Sequence, residues 1–182
     1  MLYDAFSLQE DMAAKSVTIR VSKKSYDYGQ KSSLRVSKDA VIISDTEKNR
    51  TIEIPFRRWA SLMRYMPDIN ESVRKFLANE FVQYKQHIGG AWSVSVTTGF
   101  PCVDIRKFYL PLFGFEEKPT KSGLAVRISE WPSFLAAAQH MHVDVPQLLQ
   151  IQPCGDHQNQ EDAMQCKECY PFPDVVFASR NM

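Results

Sequence analysis

Four cysteines in 182 residues are too few, and too unevenly placed, for a disulfide framework. Cys102 stands alone, and Cys154, Cys166 and Cys169 crowd the last thirty residues. That distribution suits a local metal site and a reducing compartment. Long apolar runs are also missing. Stretches such as Leu135-Ala-Ala-Ala138 fall far short of the roughly 20 residues of a membrane span. Residues 1–15 carry Asp4, Glu10 and Asp11 where a secretory leader is basic and then apolar, so neither export nor a membrane partner is expected. The chain has no Gly-rich phosphate loop and no Gly-x-Ser-x-Gly elbow, and its acidic residues sit singly, which argues against an enzyme. Charge of one sign is not in excess either: the formal net charge is +1. That argues against coating of nucleic acid by bulk attraction alone.

The near-neutral total conceals a gradient. Between Lys15 and Lys38 seven basic residues face one acidic residue, a local +6, whereas residues 153–182 sum to −3. The first region is suited to phosphate and the last is not. A chain that is 44% hydrophobic and 12% aromatic has enough apolar matter to close a core.

Periodicity divides the chain into four parts: an arm over 1–15, a sheet-plus-helix unit over 16–88, a second over 89–152, and an acidic Cys/His tail over 153–182. Val17, Ile19 and Val21 alternate with polar neighbours and predict a strand. Tyr26-Asp-Tyr-Gly29 reads as a turn, and Leu34–Val36, Val41–Ile43 and Thr51–Ile54 as further strands. From Trp59, apolar residues at steps of three and four (Leu62, Met63, Met66, Ile69, Val73, Phe76) predict a helix, bent or interrupted at Pro67 and continuing to about His87. Asp68 is a candidate cap. After Gly89-Gly90 the period returns to two over Trp92–Val96, Val103–Tyr109 and Leu124–Ile128, and a second helix opens near Ser129 with Trp131.

The halves match at an offset of 72 residues: Ile52/Leu124, Ile54/Val126, Trp59/Trp131, Leu62/Phe134 and Met63/Leu135. The fold expected is α+β, with two repeats of a four-stranded antiparallel sheet followed by a helix, joined as an intrachain pseudo-dimer. Trp59 and Trp131 are expected in the core.

Cations that track phosphate, beside aromatic faces on which bases stack, are what a sequence-tolerant single-strand binder needs. Arg106, Lys107, Lys118 and Lys121 supply charge in the second half, and Arg20, Lys23, Lys24 and Arg35 in the first. Trp92, Phe108, Tyr109, Tyr26 and Tyr28 are the stacking candidates. Singly, each cation is at home on a solvated strand and each aromatic in a core; the set together favours binding. In the tail, Cys154-Gly-Asp-His157 and Cys166-Lys-Glu-Cys169 form two chelating pairs eight residues apart, the donor set of one tetrahedral structural zinc ion. His140 and His142 are alternative ligands, or helix-end residues.

Asp104-Ile-Arg-Lys-Phe-Tyr109, Lys118-Pro-Thr-Lys-Ser-Gly-Leu124 and Ser129-Glu-Trp131 together resemble the positive cofactor four family of transcriptional coactivators. In the first half the likeness is carried by Asn49–Trp59 and Asp68–Phe76, without an Asp-Ile-Arg strand. The resemblance implies homodimers that hold single-stranded or unpaired DNA across joined sheets. It therefore points to a nuclear or otherwise intracellular protein of transcription, replication or repair, whose partners are single-stranded DNA, with RNA an alternative, and proteins of those processes. Association of two chains stays open beside an internal dimer. The competing expectation is an assembly module that kept the fold and lost nucleic-acid binding, consistent with the low net charge.

Overall fold

The computed structural model describes residues 19, 24–111, 116–153, 166 and 169. The first half forms β1 (Ser25–Tyr28), β2 (Ser32–Val36), β3 (Ala40–Asp45), β4 (Arg50–Pro55), α1 (Phe56–Arg64) and α2 (Met66–Leu77). The second forms β5 (Gln83–Gly89), β6 (Trp92–Thr97), β7 (Phe100–Tyr109), β8 (Lys118–Arg127) and α3 (Trp131–Asp144), with 3-10 turns at Ile128–Glu130 and Pro146–Gln150. Each set of four strands is a separate antiparallel meander, β1-β2-β3-β4 and β5-β6-β7-β8. Two four-stranded sheets, each followed by helix, are the α+β architecture expected. None of the described helices is long and apolar enough to cross a membrane.

Register carries the repeat into three dimensions. Val41 and Ile43 of β3 lie opposite Ile54 and Ile52 of β4, and Val103 and Ile105 of β7 lie opposite Val126 and Leu124 of β8. All eight are buried. The 72-residue offset also relates Ile69 to Met141 and Val73 to Val145, buried in both halves.

The helices are exchanged between the halves. α3 packs on β1 and β2 of the first sheet, whereas α1 reaches β5 and α2 reaches β6 of the second; the outer strands β4 and β8 meet at a seam. At the centre, Phe134 stacks on Trp131 at 4.9 Å, meets Tyr28 edge-on at 5.1 Å and lies 6.3 Å from Trp59. Trp59 and Trp131 are core residues, 0% and 2% exposed. The Trp59 indole N–H donates to His142 Nε2 at 2.9 Å, and that of Trp131 to Asn70 Oδ1 at 2.8 Å. Donors and acceptors are both 72 residues apart, so one contact is made twice, reciprocally, as across a two-fold dimer interface.

Several local expectations are corrected. Tyr26-Asp-Tyr is a strand and only Gly29, at φ +64°, is turn. Tyr26 and Tyr28 point into the core beneath α3, 5% and 2% exposed, which removes them as stacking candidates. The strand expected from Ser16 lies outside the described residues except for Ile19, which packs against the core. The first-half helix does not reach His87: α2 ends at Leu77, Asn79 takes a left-handed φ of 59°, and Gln83–Gly89 is β5. Asn tolerates that conformation better than most residues, so the helix stops where its apolar stripe runs out. Gly89-Gly90 consequently lies at a hairpin turn inside the second sheet. At Pro67 the run does break, with Tyr65 between the two helices and the proline in the first turn of α2, where a missing N–H costs nothing. Asp68 lies in that turn too but makes no side-chain cap.

Candidate nucleic-acid interface

The β7–β8 hairpin gathers most of the second-half candidates. Its strands pair regularly from Cys102↔Arg127 to Arg106↔Gly123, then slip at a bulge of β8, where Thr120, Lys121 and Ser122 stand opposite Lys107 alone, and resume with Phe108↔Pro119 and Tyr109↔Lys118. Bulges re-aim side chains. The Phe108 N–H donates to Ala91 O at 2.7 Å, and the Thr120 hydroxyl donates to Lys107 O at 2.8 Å, which fixes the slipped register. Beyond the bulge Tyr109 is 47% exposed, directly across from exposed Lys118. Lys107 and Lys121 are exposed as well, and among the described residues none of these three lysines is held in an ion pair. Half-buried Phe108 carries Lys85 Nζ 3.8 Å above its ring, and Lys85 also meets Glu117 at 3.0 Å. Lys85 was invisible as a candidate because its segment reads as helix.

Arg106 has a different place from the one expected. Its guanidinium grips Asp104 through two bonds of 2.8 and 2.9 Å, and a third N–H donates to Thr120 O at 2.9 Å. Both side chains are largely buried, 16% and 13% exposed. The bond to Asp104 holds the guanidinium further in its charged form. A cation so engaged clamps the hairpin and is not open to phosphate. The clamp has room because position 123 is glycine: a Cβ there would lie 2.9 Å from Arg106 Cγ and 3.0 Å from Ile105 O. Gly123→Ala should therefore lower stability by about 1–3 kcal/mol, read as a lower urea midpoint.

Trp92 is also corrected. It is 8% exposed, and its ring walls a cavity of about 410 Å³ at the seam between β4 and β8. Arg50, Thr51 and Glu53 enter from one half, Lys121 and Ser122 from the other. Arg50 is exposed and, among the described residues, is not in an ion pair. Sequence reasoning missed it although it stands 72 residues before Ser122 of the basic turn. Exposed Phe81 and Phe100, 79% and 48%, were missed too. They flank the point where Val82 and Thr98 exchange hydrogen bonds of 2.7 and 2.9 Å at one end of the second sheet.

First-half cations are dispersed. Arg35 is exposed on β2, on the face opposite Leu34 and Val36 and two strands from the seam. Lys24 is bonded to Asp144 at the end of α3, an ion pair that raises the lysine pKa and lowers that of the carboxyl. Arg20 and Lys23 lie outside the described residues. So do Cys154 and His157, half of the zinc set; among the described residues no group of three or more His, Cys, Asp or Glu is placed to hold a metal.

The hairpin and the seam offer one exposed aromatic, Tyr109, among four exposed cations, Lys107, Lys118, Lys121 and Arg50. Compared with protein-family models, with curated proteins and with solved structures, the chain matches none.

Proposed function

We propose that this protein binds single-stranded nucleic acid without reading its sequence, and that its two halves form an internal pseudo-dimer of the coactivator type. The observation that carries the reading is the hairpin beyond the bulge, where half-exposed Tyr109 stands across from Lys118 with Lys107 and Lys121 nearby. A base stacked on Tyr109 would place its flanking phosphates among the lysines, each stacked base contributing about 1–3 kcal/mol. Arg50 continues the cation track across the seam into the first half. The reciprocal Trp59–His142 and Trp131–Asn70 bonds support the pseudo-dimer. Binding, not catalysis, is the proposed activity, exercised at unpaired DNA in transcription, replication or repair.

The test is fluorescence anisotropy with a labelled oligothymidine of about 20 nucleotides, longer than the roughly 4–16 nucleotide sites common for such surfaces, beside a duplex of equal length. Preference for the single strand is expected. Equal affinity for both, or none for either, would reject the reading.

A second reading, an assembly module, is favoured by Leu77 and Leu149. These two leucines stand 72 residues apart at equivalent places and are 66% and 67% exposed. Failure of the anisotropy test, with concentration-dependent self-association lost in Leu77→Ser, would select it.

A further inference from the structure

The helices of the two halves are joined by one contact made twice, and only one copy can titrate. Asn70 accepts the Trp131 indole N–H through an amide oxygen that keeps its character at any ordinary pH. His142, in the last turn of α3, accepts the Trp59 indole N–H at Nε2, so its neutral ring carries the proton on Nδ1 and keeps no nitrogen lone pair for a metal: of the two roles open to it, this is the helix-end one. The rings of Trp59 and His142 also meet edge-on, with centroids 6.0 Å apart. Protonation turns Nε2 into a donor. Two N–H groups then face each other at hydrogen-bond distance, and a charge is created at a half-buried place.

We propose that His142 is an acid-sensitive latch between the two halves, releasing Trp59 at mildly acidic pH while the Asn70–Trp131 contact holds the opposite side. Other titratable and charged groups stand on the elements packed around the contact, His87 and Lys85 on β5 against α1 among them. α3 itself brings His140 and Asp144, the latter bonded to Lys24. α1 brings Arg57 and Arg58 beside Trp59; Asp27 of β1 and Arg35 of β2 belong to the strands under α3, and the 3-10 turn Pro146–Gln150 carries no titratable side chain. Burial is the cause that holds the His142 pKa below its ordinary value. The sign follows from that depression. The contribution is complete above the ordinary histidine pKa of about 6.5 and is lost as pH falls through the lower folded value.

This latch does not depend on nucleic-acid binding, and it is tested on the full chain alone. In ¹⁵N–¹H spectra recorded from about pH 7.5 to about pH 5, the Trp59 indole N–H resonance should shift through a single transition centred below about 6.5, while that of Trp131 stays in place. His142→Asn copies the acceptor of the other half, and in it the Trp59 resonance should remain at its hydrogen-bonded position throughout. A static Trp59 resonance in the wild-type protein, or the same transition surviving in His142→Asn, overturns the latch. Should that variant fail to fold, the wild-type pair decides: equal movement of Trp59 and Trp131 overturns it as well.

Discussion

Trp131→Ala should lower the unfolding free energy by about 3–5 kcal/mol, and both sheets should lose structure in the same transition. The side chain is 2% exposed, stacks on Phe134 and donates to Asn70, so its removal leaves a large cavity and an amide oxygen without its partner. Single domains of this size are stable by only about 5–15 kcal/mol, and a loss of that order is a large part of the total. The loss is shared because α3 lies on the sheet of the other half. Urea unfolding followed by far-ultraviolet circular dichroism and by fluorescence of the two remaining tryptophans should give coincident curves. Separate transitions for the two probes would mean that the exchanged helices do not couple the halves. Trp131→Phe should cost less, since a ring can still stack on Phe134 while the indole bond and part of the buried ring volume are lost.

Replacing Lys107, Lys118 and Lys121 together by glutamate should abolish measurable oligonucleotide binding at moderate salt and leave the urea midpoint unchanged. All three are exposed and, among the described residues, none takes part in an ion pair, so their removal leaves no buried group unsatisfied. Tyr109→Ala separates stacking from charge: it should weaken binding by about 1–3 kcal/mol without altering salt dependence. Arg106 belongs to neither class. Truncating it would leave Asp104 buried without its partner, and the loss would appear as lower stability.

The parts of the fold that were readable in the sequence are those whose determinants are local. β4 and β7 alternate apolar and polar residues, β3 and β8 carry short apolar runs, and the helices after them hold Trp59 and Trp131 in their first turns. The two strands misread, β1 as a turn and β5 as helix, occupy the same place in their sheets. Each is the edge strand that receives a helix from the other half, α3 on β1 and α1 on β5. Their residues answer to a partner distant in sequence. Tyr26 and Tyr28 are inward because α3 covers them, which no local pattern states. The candidate site divides in the same way. Exposed Lys107, Tyr109, Lys118 and Lys121 follow from composition on a hairpin. The engagement of Arg106 and the burial of Trp92 depend on the bulge of β8 opposite Lys107 and on the seam, both products of pairing across strands.

The central claim is that open cations on the hairpin and at the seam hold the phosphates of a single strand, and its most direct test is the salt dependence of oligothymidine affinity. With about three to five phosphates neutralised, the slope of log K against log salt should lie near −2 to −3.5 for single strands, and the Lys107, Lys118 and Lys121 substitutions, taken together, should abolish the binding from which that slope is measured. Affinity that is independent of salt, or no binding even at low salt, would contradict it.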